Sequence, residues 1–246
     1  MHHQTPVLAS VDGRAALLRT VAYHRTDASE APSTRVTRQR YDALGNLTEQ
    51  WDPRLQALAV TDTRVKANQQ TRFSLSGQEL RSDSVDEGWR VSFYNAAAQF
   101  VHSWDGRESF MRLDYDEQQR PVALFEKGAD ENVEQCVERF IYAANNTEDA
   151  QRNRCGRMLR HDDPAGSLWH EAFTVTGQPL IETRRFCVSL IAPHWPNAPL
   201  QSDSYSTRWQ YDALGAVMAQ TDAAGHVRSF NVDITAPSAS YCQRVL

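Results

Sequence analysis

The sequence predicts an all-β protein made of antiparallel hairpin and meander repeats. Two observations lead to this prediction. Short segments recur along the chain with the same residues at the same spacing, and the copies contain an aspartate–glycine turn signal that returns after about ten residues. The helical signal is scarce over the 246 residues, so the turns are expected to join short strands.

The first repeat begins with a tyrosine–aspartate pair. Residues 41–45 and 211–215 are both Tyr-Asp-Ala-Leu-Gly, a third copy runs from 94 to 105, and the second half of a fourth occupies 156–163. Tyr115 opens a fifth, more degenerate copy. The four clearer copies all end on an acid seven positions beyond the glycine or its equivalent: Asp52, Asp105, Asp163 and Asp222.

A second repeat lies between the copies of the first. Residues 73–80, Phe-Ser-Leu-Ser-Gly-Gln-Glu-Leu, align with residues 173–180, Phe-Thr-Val-Thr-Gly-Gln-Pro-Leu. Chance could produce one such pair, but it is a poor explanation for two repeat families in one chain. The chain is therefore expected to consist of copies of one supersecondary unit.

Turn chemistry explains the Asp-x-x-Gly core of the repeat. An Asp at the first position of a type I turn caps the turn amides, and a Gly at the fourth adopts the left-handed conformation that returns the chain as a hairpin. The expected corners are 42–45, 163–166, 212–215 and 222–225, with looser versions beginning at Asp52 and Asp105. Strands of roughly five or six residues fit between such corners.

Some segments depart from the repeat. Residues 131–144 have near-helical apolar spacing, but their β-branched and aromatic residues favour a strand leading into the next repeat. Loops are expected at 28–33, 145–153 and 192–200. We divide the chain into an N-terminal segment, residues 1–34, and a repeat array, residues 35–246.

Composition excludes several classes of protein. The chain is 41% apolar and 23% charged with a net charge of −5, which argues against general affinity for nucleic acid or anionic lipid. It has no run of 18 apolar residues, so no membrane insertion by this segment is expected. The N-terminus lacks the features of a classical signal peptide. We therefore expect no export through a classical signal peptide.

The cysteines and histidines do not indicate a metal site. Cys136, Cys155, Cys187 and Cys242 lie far apart without Cys-x-x-Cys spacing, so four reduced and mostly buried thiols are expected. The eight histidines show no His-Glu-x-x-His pattern. His161, His170 and His194 are expected to be surface or hydrogen-bonded residues. No metal and no cofactor are predicted.

Asp162 and Asp163 form the most plausible catalytic pair, because adjacent carboxylates can share a proton. Asp163, however, aligns with the acids that end the other repeats, which favours a structural turn. Ser74, Ser76 and Ser84 stand near glycines but lack a Gly-x-Ser-x-Gly elbow. We therefore predict no catalytic, cofactor-binding or metal-binding residues, and no enzyme.

The tryptophans leave two interpretations open. Trp51 and Trp104 occupy the same repeat position, and aromatic packing across neighbouring strands is the simpler explanation. An exposed ladder of aromatic rings would instead favour a module that binds carbohydrate.

Several motifs together resemble a known family. Tyr-Asp-x-x-Gly-x-Leu followed by Asp-Pro resembles the YD repeat of Rhs-type proteins. The ordered motifs at 5–8, 23–25, 35–42, 51–55, 75–81, 84–88 and 156–166 narrow the resemblance to the N-terminal region of the C component (TccC-type) of bacterial insecticidal toxin complexes. The resemblance extends from about residue 3 to about residue 230. It implies a sheet that forms part of a curved YD-repeat shell.

The resemblance also implies a role. In that family the C component joins a B component to form a hollow shell of β-strands around a toxic C-terminal segment, which is released inside by self-cleavage. The sequence ends at Leu246, before the later repeats, the self-cleaving core and the toxin segment of that family. We therefore expect a structural part of the shell, without the toxic activity. The resemblance also implies a protein made in the bacterial cytoplasm and released, if at all, as part of a secreted toxin complex.

The expected partners follow from this role. They are a B-type component or the remaining shell repeats, and self-association would also protect unpaired strand edges. The alternative is a stand-alone β-rich module that binds carbohydrate or a cell-surface protein. A hydrolase is the least favoured interpretation, because it would need ionisable groups from distant segments to converge.

Overall fold

The computed structural model describes residues 5–27, 29–233 and 236–244, and the side chains of 5–27 and 29–230. The regular elements of these residues are eighteen strands and two short helices, joined by turns and loops. Contacts divide it into two units at residues 111 and 112. The predicted all-β, antiparallel fold is confirmed.

The first unit is a meander of consecutive hairpins. Each strand from β1 to β7 pairs antiparallel with the next one along the chain. A single helix, α1 (Pro53–Ala59), interrupts the series. The strands are β1 (Val7–Val11), β2 (Leu17–His24), β3 (Ser33–Tyr41), β4 (Leu47–Trp51), β5 (Gln69–Phe73), β6 (Glu79–Ser84), β7 (Gly88–Tyr94) and β8 (Phe100–Asp105). The next strand, β9 (Phe110–Tyr115), contains the division between the units.

The second unit repeats the same plan. Consecutive strands from β10 onward pair antiparallel, and helix α2 (Thr147–Gln151) lies between β11 and β12. The strands are β10 (Pro121–Lys127), β11 (Gln135–Tyr142), β12 (Met158–Asp163), β13 (Gly166–Phe173), β14 (Pro179–Phe186), β15 (Tyr205–Tyr211), β16 (Val217–Thr221), β17 (Val227–Asp233) and β18 (Ala236–Arg244).

The segments predicted to depart from the repeat contain both strand and helix. The strand favoured within 131–144 is confirmed as β11. The predicted loop at 145–153 contains α2, whose N-cap Asn146 accepts a hydrogen bond from the Asp149 N–H at 2.8 Å. In the predicted loop at 28–33, Ser33 already begins β3, and residue 28 lies outside the described residues. The predicted boundary at residue 34 stays a prediction.

Helix α1 corrects one expectation. Asp52 was expected to begin a looser turn, but its carboxylate accepts the Leu55 N–H at 2.8 Å and caps a helix that Pro53 starts. Asp at the N-cap with Pro at the first helical position is a strong start signal. The wrong expectation came from giving the repeat position priority over this local signal.

Complete burial is confined to a few places. Trp51 is 9% exposed beneath α1, and Trp195 is 2% exposed where the segment after β14 folds back onto β11. The backbone N–H of Trp195 donates to the Cys136 carbonyl at 3.0 Å, and His194 Nδ1 accepts the backbone N–H of Cys136 at 3.2 Å. Another segment of the chain covers the sheet at both tryptophans.

The cysteines match the prediction in part. Cys136, Cys155 and Cys187 are free thiols. Cys136 is buried, but Cys187 is half-buried and Cys155 is exposed beside α2, so the expectation of mostly buried thiols was wrong for the described residues. The side chain of Cys242 lies outside the described residues.

Candidate functional site: the repeat corner

The recurring chemical unit of this protein is a five-residue corner that joins two strands. At Asp42 the backbone N–H donates to the Asn46 carbonyl at 3.0 Å, and the Gly45 N–H donates to the Asp42 carbonyl at 3.2 Å. Asp42 Oδ1 accepts the N–H groups of Leu44 and Asn46, both at 2.9 Å. Gly45 has a φ of 91°. This is the predicted type I turn, closed by a residue in the left-handed conformation.

The same corner occurs nine times within the described residues. In every copy the first side chain accepts the backbone N–H of the fifth residue, and the two backbone hydrogen bonds are repeated. The corners begin at Asp12, Asp42, Ser74, Asn95, Asp105, Asp116, Thr174, Asp212 and Asp222. The first position therefore requires a side-chain oxygen that accepts hydrogen bonds. Asp, Ser, Thr and Asn all supply one.

Glycine is not required at the fourth position. Five corners place Gly there, and four place Ala15, Ala98, Glu108 or Gln119 there with φ between 60° and 64°. The prediction missed the corner at Asp12 for this reason. Its sequence, Asp12-Gly13-Arg14, repeats the Asp-Gly-Arg that begins at Asp105, and this match could have revealed it.

The predicted chain reversals are confirmed. Gly45, Gly156 and Gly215 all have positive φ between paired strands. The strand register also shifts by one residue just before several corners, for example between Arg40 and Tyr41. Such a shift is the bulge that accompanies this hairpin type.

Tyrosines at strand ends tie each hairpin to its neighbour. The hydroxyl of Tyr41 donates to the Leu17 carbonyl at 3.1 Å, and Tyr211 donates to the Pro179 carbonyl at 3.0 Å. Tyr142 makes the same bond to the Pro121 carbonyl at 2.9 Å. Each acceptor is the first residue of the preceding strand. Burial raises the pKa of Tyr142 and Tyr211, which keeps the donating proton in place.

The corner N–H groups stabilise the ionised aspartates. The side-chain amide of Asn46, followed by its backbone N–H, holds the pKa of Asp42 below its usual value. In the corners of Asp12, Asp116 and Asp222 the backbone N–H of the fifth residue is the main cause of the same lowering of the pKa. Hydrogen bonds to a carboxylate favour its charged form.

The acids that end the repeats share a function but not a conformation. Asp52 caps α1, whereas Asp105 and Asp222 begin five-residue corners. Asp163 starts a tighter turn in which its Oδ1 accepts the N–H groups of Ala165 and Gly166 at 2.9 and 3.0 Å. In all of them the carboxylate accepts backbone N–H groups of the residues that follow, so the prediction of a structural turn at Asp163 is confirmed.

The Asp162–Asp163 pair does not form a shared-proton site. Neighbouring residues of a strand point to opposite faces, and the two carboxylates have different partners. Asp162 is fully buried and accepts from Ser167 Oγ and Arg160 Nε, both at 2.5 Å. Asp163 pairs with Arg184 at 2.7 Å. Both acids are engaged in holding β12 to β13 and β14.

The three histidines have structural contacts. His161 stacks on Phe140 with ring centroids 4.7 Å apart and pairs with Glu138 at 2.8 Å. His194 accepts the Cys136 N–H, and the His170 ring lies 5.7 Å from Phe173. No group of three His, Cys, Asp or Glu side chains suited to a metal ion occurs among the described residues. The absence of catalytic and metal residues stays a prediction.

The two tryptophans differ. Trp104 packs against Phe93 and Phe110, with centroids 5.6 and 5.2 Å away, which confirms aromatic packing at this position. Trp51 has arginines for neighbours instead: the guanidinium groups of Arg38 and Arg40 lie 5.5 and 5.6 Å from its ring. For Trp51 the prediction was wrong, because α1 and two arginines cover the ring.

Consecutive antiparallel hairpins with one repeated corner define an all-β repeat protein. The corners and tyrosines hold strands together, and no helix among the described residues has the length and apolar character needed to cross a bilayer.

Comparison with known proteins narrows the class further. No family model matches the chain. It is 27% identical over 244 residues to toxin subunit YenC1 and 26% identical over 258 residues to toxin subunit YenC2, both of Yersinia entomophaga. These alignments cover 95% and 94% of this chain but 25% and 26% of the relatives, so the chain spans about a quarter of their length.

Solved structures show the same likeness. The crystal structure of TcdB2-TccC3 matches 94% of this chain and 12% of that chain, with a TM-score of 0.86 and 28% identity. The Tc holotoxin pore of Photorhabdus luminescens with a TccC3 variant also matches 94% of this chain and 11% of its own, with a TM-score of 0.86 and 28% identity. The fold is thus that of the Tc toxin YD-repeat shell, and the relatives of the chain are Tc toxin subunits.

Proposed function

We propose that this chain is a structural, non-catalytic part of a toxin-complex shell, in the position of the N-terminal region of a C component. Together with a B-type component it encloses or docks a toxic cargo. The observation that carries the proposal is the match to TcdB2-TccC3 over 94% of the chain at a TM-score of 0.86. The nine repeated corners support it, because they close hairpins in both units through side-chain and backbone hydrogen bonds.

The proposal gives the chain a place in a larger assembly. Its relatives are about four times as long, so further shell repeats and a cargo segment would come from the rest of such a protein or from its partners. We propose that the chain leaves the cell as part of that secreted complex.

Light scattering after size-exclusion chromatography tests the proposal. The chain is run alone, then with TcdB2, the component named with TccC3 in the matched structure. We expect a complex with the summed mass at micromolar concentration. Two separate peaks with unchanged masses, from a chain whose unfolding transition shows that it is folded, would contradict the assembly role.

One observation favours a second candidate, a carbohydrate-binding module. Phe93 is 51% exposed and Trp104 is 38% exposed, so this aromatic cluster faces solvent. A glycan array tests it, with Trp104→Ala as the loss variant and the covered Trp51→Ala as the matched control. A hit lost only with Trp104→Ala would promote this candidate over the shell role.

A further inference from the structure

A basic groove lies in the first unit. It lies between α1 and the strands β2 and β3, and it encloses a cavity of about 830 Å³. Val36 on the sheet and Ala57 and Val60 on the helix side supply apolar walls. Val60 is 77% exposed, so the helix side of the groove is open to solvent.

Four arginines line this groove: Arg14, Arg19, Arg38 and Arg40. Two of them have carboxylate partners, since Arg14 pairs with Asp12 at 3.3 Å and Arg40 pairs with Glu49 at 2.9 Å. Among the described residues, no ion pair joins Arg19 or Arg38 to an acid.

Arg19 and Arg38 also stand directly opposite each other. They are paired residues of β2 and β3, so their side chains leave the same face of the sheet. Like charges in this arrangement destabilise a sheet. The chain has a net charge of −5, so this concentration of positive charge is local rather than a reflection of the composition. An external carboxylate placed between the two guanidinium groups would remove the repulsion.

We propose that the groove is a docking site for an acidic segment of a second polypeptide, which places a carboxylate between Arg19 and Arg38 and an apolar side chain against Val36 and Val60. This inference rests on the proposed assembly role, since it names the chemistry of a partner in that assembly. The cavity is as large as the sites that enclose drug-sized ligands. Guanidinium groups also match carboxylates in a bidentate geometry.

The apolar walls and the arginine charges of the groove together favour an acidic peptide over a small anion as the ligand. Inorganic phosphate would satisfy the arginines but leave the valine walls in contact with water. An acidic peptide with alternating apolar residues satisfies both. Phosphate competition therefore distinguishes the two ligands.

Arg19→Glu is the informative variant. It replaces a repulsive cross-strand pair by a Glu–Arg38 ion pair, so the variant should fold at least as well as the wild type. Arg35→Glu is its matched control. Arg35 lies on β3, pairs with Ala22, and occupies the opposite face from Arg38, with the same change in net charge.

Fluorescence anisotropy with a labelled peptide of alternating Glu and Leu measures docking, and a Gln–Leu peptide is the probe control. We expect the Glu peptide alone to bind the wild-type chain, with affinity reduced about tenfold or more by Arg19→Glu and unchanged by Arg35→Glu. No binding to the wild type, equal losses in both variants, or equal displacement by millimolar phosphate would overturn the inference.

The same variants in the light-scattering assay with TcdB2 separate this inference from the proposed function. If Arg19→Glu weakens assembly and Arg35→Glu does not, the result supports both the groove inference and the proposed shell role. Assembly that both variants retain fully overturns the groove as the docking site and leaves the shell role intact. Peptide binding without any assembly would contradict the shell role and leave the groove as an acidic-peptide site.

Discussion

At the scale of single residues, one oxygen atom per corner organises the chain. The first side chain of each corner accepts backbone N–H groups that the strand ladder leaves without a partner, and Asp, Asn, Ser and Thr all do so. Unsatisfied backbone N–H groups are costly, so this oxygen closes the hairpin without help from a hydrophobic core. The sequence showed this chemistry where Asp and Gly stand three positions apart, as at 42–45 and 212–215.

The glycines of the repeat differ in how much space a side chain would have at their positions. Gly225 has a φ of 87° with open space around the position of a Cβ, whereas a Cβ on Gly166 would lie 2.1 Å from the Arg185 carbonyl oxygen. Gly225→Ala should therefore cost about 1 kcal/mol, the strain of the left-handed backbone. Gly166→Ala should cost about 3 kcal/mol, because β14 must move away from β13.

Urea unfolding of the two variants measures this difference in free energy. Ala98→Gly is a useful third variant, because it removes left-handed strain at a φ of 64° and should stabilise the protein. Equal costs for the two glycines, or a destabilised Ala98→Gly, would contradict the corner geometry.

The aspartate corners predict a stability that depends on pH. The corner N–H groups lower the pKa of Asp42, so the folded chain binds fewer protons there than the unfolded chain. The stabilisation is then complete above the ordinary aspartate pKa of 3.8 and is lost as the pH falls below it. We expect the midpoint temperature of thermal unfolding to fall when the pH is lowered below about 4.

Asp42→Asn separates charge from hydrogen bonding. Asn95 shows that an asparagine keeps the corner, so the variant should fold at neutral pH and lose part of the acid dependence. The measurement is the unfolding midpoint between neutral and acidic pH for both proteins. Identical acid slopes would mean that the corner carboxylates do not control acid stability.

At the scale of elements, hairpins were predictable and helices were not. The corners repeat in sequence, so β3–β4 and β15–β16 followed from the two Tyr-Asp-Ala-Leu-Gly segments. Helix α1 has only seven residues and no buried side chain of its own, so apolar periodicity could not reveal it. Its capping signal, Asp52-Pro53, was present but coincided with a repeat position.

The strand-end tyrosines join neighbouring strands where the strand pairing ends. Tyr142→Phe removes the hydrogen bond to the Pro121 carbonyl but keeps the ring under the Arg120 guanidinium, 4.2 Å away. We expect a loss of about 1 kcal/mol in the free energy of unfolding. Tyr205→Phe, on an exposed residue of β15, is the control and should change little. A similar loss in both variants would argue against the tyrosine bond.

At the scale of the whole molecule, the proposed function rests on the repetition of one hairpin unit. The sequence motifs predicted the toxin-shell family, and the matched structures share the fold. The basic groove could not be predicted, because it depends on the register that sets Arg19 opposite Arg38 and on a helix that the pattern did not show. Pairing across strands is a long-range property that residue spacing alone leaves open.

The central claim is that the corners fix the strand register and so the architecture. The most direct test compares the thermal unfolding midpoint of a chain lacking Leu44 with that of Leu44→Ser. Leu44 is 68% exposed, so only its place in the backbone should matter. We predict an unchanged midpoint for Leu44→Ser and a large drop for the deletion, which leaves the corner one residue short. A deletion variant as stable as Leu44→Ser would contradict this claim.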